Sequence, residues 1–218
     1  MDKTMECPTE NIESGAPSGA SVTNTKTRLI ESARDIYLAE GLAALSMRKV
    51  ARQAGMSTMA TYRHFTNKED LINHVILEGF QIFQRYFYRA LEGATPAERL
   101  QISAETYLDF ALENPKYYEV MFMTSGQFNP SGPDNRVQSM VRAAVQFLYD
   151  RISECVAAGV LDGPATRRKV VHLWSHSHGL VSLYLSGHLG SHTPFRELYL
   201  ESMNTVFRGM GLTPDRGQ

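Results

Sequence analysis

The stretch Met47–Phe65 reads MRKVARQAGMSTMATYRHF, and its reading decides the fold. Arg48, Lys49 and Arg52 crowd its first turns, and it holds no acidic residue. Ser46, just ahead of it, is placed to cap a helix whose inward face is Val50, Ala51 and Ala54. Gly55 ends that helix after little more than two turns, because glycine accepts a positive φ without steric cost. Ser57 then caps a second short helix running to about His64, with Met56 turned into a small core. Two stubby helices, one glycine turn and small residues at the contact predict a helix-turn-helix pair. A helix about 10–12 Å across fits a DNA major groove about 12 Å wide.

The surrounding chain suits that reading. It has 218 residues, 43% of them hydrophobic, enough for one large core or two smaller ones. The formal net charge of −1 gives the whole molecule no bias toward nucleic acid. The local balance differs. From Gly41 to Lys68 the charged side chains are Arg48, Lys49, Arg52, Arg63 and Lys68, with no Asp or Glu. Such a patch binds phosphates whatever the total charge. Cys7 and Cys155 sit in unlike surroundings and predict no disulfide, as in a reducing cytosol. The leader MDKTMECPTENIESGAPSGAS lacks an apolar core, so it is read as a disordered tail over residues 1–22 rather than a signal peptide. Val170 to Leu189 is the most apolar later stretch, but its histidines and serines make it a buried helix, not a membrane span. A cytoplasmic protein with no membrane partner is expected.

Helix signals run the length of the chain, and no alternating strand pattern or internal repeat appears. The spacing predicts a first helix from Lys26 to Gly41 and a long fourth helix capped by Asn67. Thr95-Pro96-Ala97-Glu98 is a capping box with proline at the first helical position. Asn114-Pro115 starts a short aromatic helix, and Thr124 to Pro133 reads as a loop. Another long helix follows from Val137. Gly163-Pro164 precedes one reaching Leu189, and Thr193-Pro194 opens the last. The expected fold is all-α, with about nine helices: a three-helix DNA-binding domain over residues 23–70 and a helical effector-binding and dimerisation domain over 71–218.

Four segments carry a family resemblance. They are Ser46-Met47-Arg48-Lys49-Val50-Ala51, Ala54-Gly55-Met56-Ser57, Tyr62-Arg63-His64-Phe65 and Asn67-Lys68-Glu69-Asp70-Leu71. Together they resemble the DNA-binding domain of the tetracycline-repressor (TetR) family of bacterial transcription regulators, over roughly Thr25 to Phe80. The resemblance implies that Arg48 contacts a base or phosphate and that Thr58, Met59 and Ala60 open the groove-facing end of the recognition helix. It implies phosphate contacts from Tyr62, His64 and Lys68. Ser46, Lys49 and Ser57 complete the expected DNA-binding set. Met59 stands where many members have Gly or Pro, and Thr61 where an apolar residue is usual. With only apolar contact available to Met59 and Ala60, Arg48 is expected to carry the guanine reading.

The rear half is rich in Phe, Tyr and Met. Trp174 through Gly187 resembles the ligand-binding domain of the WHG type within the same family, and Asn114 to Phe122 fits it. The resemblance implies an effector-sensing pocket. Tyr107, Phe110, Tyr118, Phe122, Met140, Phe147, Trp174 and His178 are its expected wall, an apolar surface with a few polar anchors. The effector is an unidentified small molecule. His172/His176 and His188/His192 have the spacing of metal-ligating pairs, but no third ligand is evident, and neither a metal nor a cofactor is expected. The last two helices are apolar on more than one side, which predicts a homodimer through them. No nucleophile motif, paired carboxylate or phosphate loop points to an enzyme. The readings are a ligand-released repressor on a palindromic operator or, alternatively, a constitutive DNA-binding regulator with a filled core, with a metal-binding helical protein or enzyme as the third.

Overall fold

The computed structural model of the chain describes residues 19–123, 136–190, 192 and 194–212, and the regular elements among them are all helical. Helices α1 (Gly19–Glu40), α2 (Met47–Gln53) and α3 (Thr58–His64) form the front module. Helix α4 (Lys68–Arg89) carries the chain into a rear bundle of α5 (Pro96–Glu113), α6 (Pro115–Tyr118), α7 (Arg136–Ala157), α8 (Arg167–Leu185) and α9 (Phe195–Gly209). The all-α, helix-turn-helix architecture expected from the sequence is the one observed. Helix α1 begins at Gly19, not Lys26, and takes in the end of the stretch read as a disordered tail. No proline follows Pro17 there, so nothing in the backbone chemistry stops the helix from extending back. The rest of that tail and the loop expected at 124–133 lie outside the described residues.

The helix starts follow from local hydrogen bonds. Ser46, Ser57 and Thr166 accept from the backbone N–H groups of Lys49, Ala60 and Lys169, and Asn67 from that of Asp70 at 2.8 Å. Thr95 and Glu98 close the reciprocal capping box. Helix α2 ends in a Schellman motif: Gly55 sits at φ 67°, its N–H bonds to the Arg52 carbonyl, and the Met56 N–H reaches back to Ala51 at 2.8 Å. The Arg28 guanidinium of α1 donates to the Ala54 carbonyl at 2.7 Å and braces the turn from behind. A like motif at Gly187 stops α8 short of Leu189, where the sequence pattern had carried it.

The front core gathers Leu29, Ala33, Ile36 and Tyr37 of α1, Val50 and Ala51 of α2, Phe65 beyond α3, and Leu71, Ile72 and Val75 of α4. Leu71 and Ile72 lie in the segment of α4 assigned by sequence to the rear unit. The same helix then turns Phe80, Phe83 and Phe87 into the rear core. Its close approach to α6 requires Gly79, because a Cβ there would lie 2.6 Å from the Met121 sulfur and 3.0 Å from the Tyr117 ring. Beyond α6 the chain widens into a π-helical turn, Glu119–Met123. Two more contacts tie front to rear. The Tyr37 hydroxyl donates to the Lys116 carbonyl at 2.8 Å, and Arg34 pairs with Glu78 at 3.2 Å.

Among the described residues, one buried side-chain polar atom has no partner. Thr61 is fully buried, and its Oγ1 finds no hydrogen bond. A buried hydroxyl left unpaired costs about 1–3 kcal/mol. Thr61→Val removes that cost at nearly constant shape and should raise unfolding stability by about 1 kcal/mol. Urea titration at constant m-value checks it; a loss of stability would mean that the hydroxyl is satisfied in solution.

Candidate nucleic-acid interface and ligand cavity

The ten residues expected at the DNA fall on α2, α3, their caps and the first residue of α4. Ser46, Arg48, Ser57, Met59 and Tyr62 are exposed, and Lys49, Thr58, Ala60, His64 and Lys68 are half-buried. The Ser46 and Ser57 hydroxyls are engaged as caps. Arg48 has no ion pair among the described residues. Two of the lysines are occupied within the chain. Lys49 pairs with Glu40, and the Lys68 ammonium donates to the Leu42 carbonyl at 3.0 Å. Glu40 lies one residue outside the acid-free window, so a local charge count misses this neutralisation, which the return of α2 alongside the end of α1 creates.

Behind the front module, α4, α5, α7, α8 and α9 enclose an apolar cavity of about 70 Å³. Phe80, Phe83 and Phe87 of α4 form one wall, with Leu148, Leu173, Met203 and Phe207 across it. A larger groove of about 430 Å³ adjoins it, sharing Phe80, Phe122, Val141 and Trp174. Asn73, Gln138, Arg142 and His178 give the groove its polar lining.

A chain of hydrogen bonds runs beneath these walls. The hydroxyls of Tyr107 and Tyr118 lie 3.0 Å apart, and the Tyr118 oxygen lies 2.6 Å from Nδ1 of His178. Burial holds both phenols protonated by raising their pKa values, and lowers that of His178, which favours the neutral ring. A separation of 2.6 Å suits an O–H donor better than an N–H donor. Tyr118 therefore donates to Nδ1, and the ring proton sits on Nε2, whose partner is the Ser182 hydroxyl at a long 3.4 Å.

Of the expected wall residues, Tyr107, Phe122 and Trp174 line the cavity, His178 lines the groove, and Tyr118 lies behind them in the hydrogen-bonded chain. The fold separates the others. Phe110 is fully buried between Phe83 and Tyr86, at 4.8 and 5.6 Å between ring centres. Met140 and Phe147 border a second space of about 60 Å³ between α4 and α7, which shares Phe80, Phe83, Phe87 and Ala144 with the cavity, and Phe147 stacks on Phe87 at 5.0 Å. Trp174, expected inward, is 41% exposed at the rim. Sequence reasoning missed the wall from α4 and α9. The Phe80, Phe83, Phe87 spacing signals a buried stripe, but only the packing makes that stripe face a void. Among the histidines, His176 bonds to Ser202 at 2.7 Å and His188 to Ser186 at 2.8 Å.

His74 joins the two regions. Its Nδ1 lies 2.9 Å from the Asp70 carbonyl, and its Nε2 lies 3.3 Å from the Arg136 guanidinium at the start of α7. The ring packs edge-on against Phe65, at the end of α3, with 5.2 Å between centres. Burial is the main cause that lowers its pKa. Asn73 and Val137, the chain neighbours of His74 and Arg136, both line the groove.

Comparisons with known proteins agree with this arrangement. A family described as bacterial regulatory proteins, tetR family, matches residues 29–75, and one described as tetracyclin repressor-like, C-terminal domain, matches residues 100–207. An HTH-type transcriptional regulator of Staphylococcus aureus (strain USA300) is 30% identical over 90 residues, 41% of this chain and 49% of that protein. The chain thus spans about half the length of the relatives it matches. A protein of unknown function from Rhodococcus sp. RHA1 superposes with a TM-score of 0.75 at 23% identity, covering 86% of this chain and 95% of that one. The transcriptional regulator FadR of Bacillus subtilis, in complex with stearoyl-CoA, superposes with a TM-score of 0.65 at 16% identity over 84% and 98% of the two chains. With a reading head and a rear bundle each matched in its own segment, the chain belongs to the TetR family of bacterial regulatory proteins.

Proposed function

We propose that the protein is a dimeric repressor that holds a palindromic operator through α2 and α3 and releases it when a small molecule occupies the rear groove. One observation carries the reading. Helix α3 keeps Thr61 fully buried yet turns out Met59, 67% exposed, and Tyr62, 54% exposed, on a surface with basic residues and no acid of its own. Two large apolar side chains one turn apart mark an interaction surface. Arg48, exposed and unpaired among the described residues, supplies the bidentate donor that guanine accepts. Tyr62 and His64 give phosphate contacts, which position without specifying. Lys68 has two ammonium protons left after its bond to Leu42, so it still serves a phosphate while holding the head together.

Dimerisation is supported by the outer face of the last two helices. Val171, Leu183 and Leu198 are 52%, 44% and 38% exposed there, with Ser175 and Gly179 leaving room for close approach. A self-complementary contact of that face with a second copy presents two reading heads to one duplex.

The route from groove to head runs through His74. A ligand that displaces Asn73 or Val137 moves the Arg136–His74 contact, and with it the ring that supports Phe65 at the end of α3. This is a coupling of two sites through one shared contact. The stearoyl-CoA complex of the Bacillus subtilis neighbour supports a ligand site in such a bundle. An empty-handed constitutive regulator would need a filled core, and the cavity beside α4 speaks against it.

Once an operator has been selected from genomic fragments, Arg48→Ala should weaken it by about 1–3 kcal/mol and relax discrimination at one base pair. Lys68→Ala should weaken all sequences alike and flatten the salt slope by about one unit. Fluorescence anisotropy across a salt series reads both; unchanged affinity in Arg48→Ala would remove the assigned base contact. Val171→Glu combined with Leu183→Glu should give a monomer in sedimentation velocity, with operator affinity reduced to that of a half-site. A dimer that survives both changes would place the interface elsewhere.

A further inference from the structure

Among the described residues that line the groove, Arg142 carries the charge, and that limits what it takes. The Tyr107–Tyr118 chain fixes the proton of His178 on Nε2, toward the Ser182 hydroxyl at 3.4 Å, and Asn73 and Gln138 each bring an amide donor and acceptor. Arg142, at the mouth, spends one donor on the Ser139 hydroxyl at 3.0 Å and meets no carboxylate among the described residues. None of the described residues lining the groove or the cavity is Asp or Glu. A cation would enter this site without a counter-charge; an anion meets Arg142.

Size sets a second limit. The inner cavity, about 70 Å³, is roughly half of the ~150 Å³ that holds one benzene in an engineered apolar core. It takes a short apolar end and no more. The groove, at about 430 Å³, lies within the range of roughly 300–1,000 Å³ usual for small-molecule sites. The bulk of the ligand therefore lies in the groove, against Phe122 and Trp174, which also border the cavity.

We infer that the effector is a compact amphipathic anion, with its apolar end in the inner cavity and its acidic group at Arg142. This rests on the sensing role proposed above and names the ligand class for it. A carboxylate fits because both of its oxygens accept and a guanidinium donates in a matching fork.

The chain has one tryptophan, and Trp174 borders both spaces, so its fluorescence reports occupancy directly. Octanoate, octanol and octylamine share a chain length and differ in charge at pH 7. Titrated into the full-length protein, they should bind in that order of decreasing affinity. Arg142→Gln should weaken octanoate roughly fivefold, the upper end for a solvent-exposed ion pair, and leave octanol unchanged. Arg142→Glu should invert the order of acid and amine. Octanol or octylamine binding as well as octanoate would overturn the anion assignment and leave the sensing role standing. Silence of Trp174 toward all three would overturn the sensing site itself, which is a separate failure.

Discussion

The structure depends on one helix whose buried stripe runs its whole length, from the front core into the rear bundle. Leu71, Ile72 and Val75 at the front of α4 complete the core of the reading head, and Phe80, Phe83 and Phe87 at its back wall the cavity. Gly79 sits between the two sets and lets α6 press on the helix at its middle. The contacts Tyr37–Lys116 and Arg34–Glu78 then fix the front module against the same region of the rear bundle. The front module and the rear bundle thus share one helix and are tied by contacts on both sides of it.

The charges of the head follow a related economy. Its five cations look like a free phosphate-binding patch when counted along the chain. In the fold, Lys49 answers Glu40 and Lys68 answers a backbone carbonyl, which leaves Arg48, Arg52 and Arg63 as the exposed cations without an ion pair among the described residues. Exposed pairs of this kind contribute little to stability, typically under about 1 kcal/mol. Their larger effect is on position: they hold the ends of α1 and α4 against the helix pair and so set its angle. The apolar outward residues Met59 and Tyr62 then add contact surface without adding charge.

In the rear bundle, the polar chain of Tyr107, Tyr118 and His178 is set within an aromatic wall. Burial keeps both phenols protonated and favours the neutral imidazole, so the network places no charge in that wall. The π-helical turn at Glu119–Met123 places Phe122 beside that network, where a continued α-helix would have turned it by a different angle. Such turns recur at ligand sites because they re-aim one side chain without breaking the backbone hydrogen bonding.

The sequence alone determined what short-range hydrogen bonds and turn chemistry control. Ser46, Ser57, Asn67 and the Thr95–Glu98 box place helix starts, and Gly55 places the turn between α2 and α3, because each acts within a few residues of itself. The same local logic made the helix-turn-helix and its basic window legible, and it missed the start of α1, where no stop signal exists, and the end of α8, which the motif at Gly187 stops short of Leu189. Tertiary structure decided which buried aromatic faces a void and which fills one. Phe110 and Trp174 read alike in the sequence, yet the first is sealed in the core and the second stands at the rim. It also decided which lysines are already engaged, and that His74, packed on Phe65, meets Arg136 across 62 residues of chain. Those outcomes rest on contacts between distant segments, and periodicity along the chain records that a residue is buried but not what it is buried against.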